Sequence, residues 1–212
     1  MDLFEAIEQR RAVRKFDPHH EIDEAQVMEL FRLTMLSPTA FNMQNWRFLW
    51  LRDREKRQEL AGVFRNGEMV KNASLLVLIL ADLRAWEKSP ERYCAQVPEE
   101  ARSRIVAGMD HFYRDDPSRQ RDEAMRSGGM AAQTLMLAAR GMGLDSCPMI
   151  GFDFSAAANL VNLPHDHCIV MAVVIGRKLE SPPPRTERLA LNEVVIIDGF
   201  PGLIQEFKRD KQ

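Results

Sequence analysis

The sequence lacks the glycine signatures by which nucleotides are most often held. Neither G-x-G-x-x-G nor G-x-x-x-x-G-K-[ST] occurs after any candidate strand, which argues against a Rossmann-type site and a P-loop. G-x-S-x-G is missing as well, and with it the elbow of lipase-like hydrolases. No apolar run reaches the roughly 20 residues that span a bilayer. Met1-Asp2-Leu3-Phe4-Glu5 has neither the basic nor the apolar region of a secretory leader. Charge of one sign is not in excess: 29 basic residues stand against 31 acidic ones, a formal net charge of -2. No field is therefore expected to draw nucleic acid or an anionic membrane. Cysteine is scarce. Cys94, Cys147 and Cys168 form no C-x-x-C and leave one unpaired, so reduced thiols and a cytoplasmic protein are expected. His19-His20 and His165-Asp166-His167 lack the i, i+4 spacing of a zinc helix and read as solvated loop histidines, with no metal site.

What is present suits one globular domain. The chain has 212 residues, 45% hydrophobic and 28% charged, enough for a full-sized core. No Gly/Ser linker and no internal repeat divides it, so residues 1–212 read as a single domain. Asp2 is placed to cap a helix over Leu3–Gln9, with Leu3, Ala6 and Ile7 on one face. Asp23, with Gln26 three residues on, starts a second helix running to Leu36 and burying Val27, Leu30, Phe31, Thr34 and Met35. Trp46–Leu51 reads as an aromatic-rich strand. Asp53 caps a helix to about Phe64, and Asn66-Gly67 breaks it. Ser74–Ala81 is continuously apolar, the mark of a central strand buried on both faces.

Residues 82–119 are more polar, contain Pro90, Pro98 and Pro117, and read as a lid-like insertion with a helix near 99–112. The longest helix is expected from about Arg121 to Met142. Its Gly128-Gly129 pair is costly in a helix and implies close approach of another backbone, either within the chain or across a dimer. A short strand and turn follow at Asp145–Asp153, a helix at 155–162, and an apolar strand at Cys168–Ile175. Beyond Pro182-Pro183-Pro184, Val194–Ile197 reads as a further strand, placed to add to a partner's sheet.

Two stretches carry the functional signal. Arg10-Arg11-Ala12-Val13-Arg14-Lys15-Phe16 follows the first helix. Ser37-Pro38-Thr39-Ala40-Phe41-Asn42-Met43-Gln44-Asn45-Trp46 follows the second, where Pro38 stops the helix. In extended chain Asn42 and Gln44 point to one side, and each offers a donor and an acceptor to a planar polar ring. Trp46 reads as core. Together the stretches resemble the flavin-binding signature of the nitroreductase family, roughly R-R-S-x-R-x-F followed by S-P-S-x-x-N-x-Q-P-W. Ala12 stands where Ser is usual and Asn45 where Pro is usual.

The resemblance implies an α+β nitroreductase-like fold, with a mixed central sheet surrounded by helices, in an intertwined homodimer. It implies non-covalent FMN at the subunit interface, NAD(P)H as electron donor, and nitroaromatic, quinone or similar acceptors served in ping-pong order. Arg10 and Arg11 would lie beside the phosphate and Arg14 nearer the pyrimidine, where cations suit an anionic cofactor. The Ala12 amide stays available although its hydroxyl is gone. Pro38, Thr39, Ala40, Asn42 and Gln44 would cover the flavin from the other subunit. Cys147–Phe152 resembles the P-x-x-G-F segment, which places Pro148, Met149, Ile150 and Gly151 at the ring, with the Ile150 amide near flavin N5. Arg185 and Arg188, in a tail at 180–212 that reaches the partner, resemble a phosphate-binding basic pair spaced three apart instead of two; which of them makes the contact stays open, as does a contact from Asn66. Two alternatives stand beside this reading: reductive dehalogenation or flavin fragmentation on the same fold, and flavin binding without turnover.

Overall fold

The computed structural model describes residues 1–200. Residues up to Pro182 form one compact unit and those from Pro183 a second; each is described by itself.

The first unit is built on four strands, β1 (Trp46–Trp50), β2 (Leu75–Asp82), β3 (Asp145–Met149) and β4 (His167–Gly176), in the order β1-β2-β4-β3. All three pairings are antiparallel. The parallel element of the expected mixed sheet is a single bridge, Ala12 to Ser146. β2 is buried along its whole length, as its unbroken apolar run predicts. One layer over the sheet gathers Leu76, Leu78, Phe64, Met69 and Val174; the other gathers Val77, Ile79, Leu135, Val173 and Ile175. The alternation of β2 residues between the layers follows from the two-residue period of a strand.

The helices begin where acidic caps predict. Asp2 caps α1 (Leu3–Gln9), Asp23 caps α2 (Glu24–Thr34) and Asp53 caps α3 (Arg54–Ala61), each accepting from an amide three residues on. Several expectations need correction. α3 ends at Ala61, not near Phe64, and Asn66 precedes a further helix, α4 (Gly67–Asn72). A Cβ on Gly67 would stand 2.4 Å from the Ala61 carbonyl oxygen, so glycine there lets α4 start against the end of α3. Met35 is half exposed because it falls at the end of α2, outside the buried stripe of Val27, Leu30 and Thr34. Of the apolar face of α1 only Ala6 is buried; Leu3 and Ile7 are exposed.

Residues 83–116 hold two 3-10 turns, Ala85–Glu87 and Pro90–Cys94, then α5 (Glu99–Tyr113). Trp86, Tyr93, Met109 and Tyr113 make a small core of their own, joined by Met43. Lys88 ties this segment to the sheet: its ammonium lies 2.8 Å from Asp82 and 2.6 Å from Asp166. His167 Nδ1 is 2.7 Å from Asp166, so His167 is half-buried in a charged cluster and is not the solvated histidine its loop position suggested. Asp82, Asp166 and His167 converge closely enough to hold a cation, and Lys88 supplies one.

α6 (Pro117–Gly141), the longest helix, starts four residues before the expected Arg121 because Asp116 caps it and Pro117 fits its first turn. The glycine pair divides its roles. A Cβ on Gly128 would stand 2.6 Å from Val170 Cγ2, whereas one on Gly129 meets nothing within 4 Å. The close approach at Gly128 is therefore made by β4 of the same chain. α7 (Phe154–Leu160) follows, capped by Asp153. None of the helices among the described residues is long and apolar enough to cross a membrane.

In the second unit α8 (Leu191–Val194) takes the first residue of the expected Val194–Ile197 strand, and no strand forms there among the described residues. Val195 returns to extended backbone. Residues 201–212 of the tail lie outside the described residues.

Candidate functional site

The arginine-rich arm leaves α1 and is laid against edge strand β3. The Ala12–Ser146 bridge and the hydrogen bond from the Val13 amide to the Ser146 carbonyl, at 3.1 Å, fix it there. Val13 and Phe16 are buried, at 1% and 2%. They alternate with Ala12 and Arg14, which are exposed. The arm thus sinks its apolar residues as anchors and presents a backbone amide and a guanidinium outward. Among the described residues the Ala12 amide donates no hydrogen bond and Arg14 forms no ion pair. Cys147 sits beneath: burial pushes its thiol up, and the charges of Arg14 and Arg10 offset part of that rise.

β3 runs out at Met149, and the chain turns through Ile150 and Gly151. The Gly151 carbonyl accepts from the Arg65 amide at 2.9 Å, the Val63 carbonyl accepts from the Asp153 amide, and Phe64 bridges Phe152. These bonds place the Phe64–Gly67 corner beside the turn. Ile150 is 69% exposed, a large aliphatic left in the open, and its amide donates no hydrogen bond among the described residues.

Arg14, Lys15, Asn66, Met69 and Asn72 line a cleft of about 350 Å³. Its one lining carboxylate, Glu68, is paired with Lys71 at 2.8 Å, and Lys15 with Glu180 at 2.8 Å, so Arg14 carries the positive balance of the cleft. Ile150 also borders a larger cleft of about 550 Å³, lined among others by Met125, Phe154, Cys168 and Val170, with Arg121 its one cation. Burial pushes the Cys168 thiol up.

The second stretch lies elsewhere and has another shape. Ala40–Asn42 is a 3-10 turn, and Phe41, Asn42 and Gln44 have φ of 54°, 53° and 45°. The extended backbone expected of Asn42 and Gln44 is therefore absent: left-handed residues coil the loop, and a spacing of two no longer sets the side. Three non-glycine residues in this region persist only where neighbours over-determine them. Those neighbours are plain. Asn42 Nδ2 donates to the Tyr93 carbonyl at 3.1 Å, Gln44 Nε2 to the Asn42 carbonyl at 3.2 Å, and the Gln44 amide to Thr39 Oγ1 at 2.9 Å. Arg47 donates to the Gln44 carbonyl at 2.8 Å. One N–H of each side-chain amide is thus used inside the protein, and the second is left over. The Thr39 hydroxyl hydrogen and the Asn42 and Gln44 side-chain oxygens are left to face outward. Trp46 is core, as expected.

The sheet register separates the two stretches. Trp46 aligns with Ala81, and Ala81 with Cys168, at one end of the sheet. Ser146 aligns with Ile175 at the other. β1 and β3 are opposite edges. Three strand spacings and six to seven residues along the strands put the arm and the loop roughly 25 Å apart, too far for one planar ring to touch both within a chain. Ala12 lies against Ser146, the charges of Arg10 and Arg14 reach Cys147, next to Pro148, and Arg14 shares a cleft with Asn66; Pro38, Thr39, Ala40, Asn42 and Gln44 do not join them. Arg185 and Arg188 lie exposed in the irregular stretch before α8.

Sequence reasoning passed over Asn72 and Lys15 in the cleft, and Glu123, which holds the loop. The α4 helix that carries Asn72 was signalled by Asn66-Gly67, read only as a break.

The model of the Nitroreductase family matches residues 7–177. Protein DrgA of Synechocystis sp. (strain ATCC 27184 / PCC 6803 / Kazusa) is 47% identical over 183 residues, covering 86% of this chain and 87% of that protein. The oxygen-insensitive NADPH nitroreductase of Helicobacter pylori (strain ATCC 700392 / 26695) is 26% identical over 199 residues, covering 89% and 93%. A crystal structure of a protein from Exiguobacterium sibiricum 255-15 in complex with FMN superposes with a TM-score of 0.85 at 25% identity, covering 93% of this chain and 97% of that one.

Proposed function

The chain belongs to the nitroreductase family, and from that premise we propose that it is a homodimeric, FMN-dependent oxidoreductase. It takes hydride from NAD(P)H and passes electrons to nitroaromatic, quinone or similar electron-poor acceptors in ping-pong order, with FMN held between the subunits. The observation that carries this reading is the arm on β3: an unpaired Arg14 lines a cleft with Asn66 and Asn72, while the Ala12 amide beside Ser146 and the Ile150 amide just past the end of the same strand are unspent.

The residues present fit FMN. Arg10 and Arg11 are the cations for its phosphate, since guanidinium forks match phosphate oxygens. Asn66 and Asn72 offer amides to the ribityl hydroxyls. Arg14 sets positive charge by the pyrimidine edge, where the reduced ring is anionic, and so raises its reduction potential. The Ile150 amide would offer a donor to N5, and a Cβ on Gly151 would make only an ordinary contact, 3.5 Å from Arg65 Cδ. When bound, FMN supplies the N5 atom that accepts hydride from nicotinamide and the two electrons that an acceptor later takes. The chain itself contributes no nucleophile; it positions, charges and dries the site. Pro38, Thr39, Ala40, Asn42 and Gln44 of a second copy cover the ring. The roughly 25 Å between loop and arm, the exposed Leu3, Phe4 and Ile7 of α1 and the exposed Met130 of α6 support that assembly.

The test is the visible spectrum of the purified protein, release of the chromophore by heat, and oxidation of NADH or NADPH on adding a quinone. Oxidised-flavin bands, released FMN and quinone-dependent oxidation are expected. A colourless protein that takes up no added FMN would overturn the reading. A yellow protein with no turnover under either donor would place it with flavin binders that do not react.

A further inference from the structure

Glu123 is an unusual place for a carboxylate. It lies on the inner face of α6, 8% exposed. A charge removed from water is unfavourable unless hydrogen bonds satisfy it. Its Oε1 accepts from Ser127 Oγ at 2.8 Å and from the Ala40 amide at 3.3 Å. Arg126 stands 3.9 Å from Oε2. Tyr113 faces it from α5, with a buried hydroxyl that has no hydrogen-bond partner among the described residues. Burial, and then the charge of Glu123, push that phenol up to about 12.

What Glu123 grips is the strained part of the chain. Ala40 opens the 3-10 turn, and the left-handed Phe41 and Asn42 follow directly. Tyr93 holds the same turn through Asn42, and Phe41 packs on Phe112 and Tyr113, with ring centroids 6.3 and 6.1 Å away. The contact from Tyr93 comes from the inserted segment. Among the described residues Glu123 is the α6 side chain that hydrogen-bonds the turn, and α6 is the helix whose Gly128 is closely approached by Val170.

We propose that Glu123 is the positioning residue of the flavin-covering loop: its carboxylate fixes the Ala40 amide to the rigid α6–β4 frame and so sets where Thr39, Asn42 and Gln44 present their polar groups. The inference rests on the reading above that this loop covers FMN. A second consequence is that the Ala40 amide is already occupied, so the loop meets its ligand through Thr39 and the Asn42 and Gln44 side chains.

The experiment is an FMN titration of the full-length wild type, E123Q and E123M, with thermal melting of the same samples without FMN. E123Q keeps an oxygen for the Ala40 amide and is expected to bind FMN within about threefold of wild type. E123M keeps the length but not the acceptor and is expected to bind about tenfold more weakly per folded molecule. A residue that only stabilised the fold would lower the melting temperature of E123M and leave that affinity unchanged; this result overturns the proposal. Should E123M not fold, hydrogen exchange of the Ala40 amide in wild type decides. Protection supports the grip, and exchange at the rate of an open loop removes it. A wild type that takes up no FMN counts against the enzymatic reading, and the Ala40 amide then reports on Glu123 alone.

Discussion

The Val13 amide donates to the Ser146 carbonyl at 3.1 Å, and this bond settles which way the arginine arm faces. With Val13 and Phe16 turned into the core, Arg14 can only turn outward, alongside β3 and toward the Asn66 cleft. Substitution Arg14→Ala is expected to weaken FMN binding about tenfold or more, the worth of a hydrogen bond to a charged group, and to make the flavin harder to reduce. Fluorescence titration and a reduction potential measured against a reference dye check both. Equal affinity and an equal potential in R14A would remove Arg14 from the site.

Gly128 makes a second, purely structural prediction. The Cβ of alanine would stand 2.6 Å from Val170 Cγ2, and α6 and β4 are both held by the core. G128A is expected to lose about 1–3 kcal/mol of stability by overpacking, despite alanine's better helix propensity. V170A in the same chain should recover part of that loss. At Gly129 a Cβ meets nothing within 4 Å of the same chain. Denaturant melts of G128A and G128A/V170A read this out, and a G128A as stable as wild type would contradict the packing described.

The Lys88 cluster predicts a pH dependence. Hydrogen bonds from Lys88 and His167 hold the Asp166 carboxyl well below the usual carboxylate range. A depressed folded-state pKa stabilises above the unfolded value, near 4, and that stabilisation is lost as pH falls toward the folded value. D166N should therefore cost about 1 kcal/mol at pH 7, with the gap to wild type narrowing at about pH 3. Urea unfolding at both values tests the sign; a gap of equal size at both would show that the pair contributes nothing through charge.

Much of the frame was legible in the chain. The aspartates at positions 2, 23 and 53 marked helix starts through a local bond, from a carboxylate to an amide three residues on, which needs no tertiary context. β2 announced itself by the apolar run at Ser74–Ala81, and the strand, Leu75–Asp82, is buried throughout. What was not legible depended on distant partners. Asn42 looked extended because nothing nearby shows Tyr93, which holds it, or Glu123, which holds the Ala40 amide at the start of the same turn. His167 looked solvated because Asp82 and Lys88 lie roughly eighty residues earlier. The glycine pair in α6 named a close approach without saying which glycine meets it or what approaches, and Val170 answers that only for Gly128.

The central claim is that one flavin lies between the arm of one chain and the loop of another. Subunit complementation tests it most directly, using differently tagged chains carrying R14A and the double substitution N42A/Q44A. Each homodimer should bind FMN weakly. In the mixed dimer, the intact arm of the N42A/Q44A chain meets the intact loop of the R14A chain. Mixed dimers are therefore expected to recover wild-type affinity at one site per dimer. If mixed dimers bind as weakly as either parent, arm and loop do not share a flavin across subunits, and the account fails.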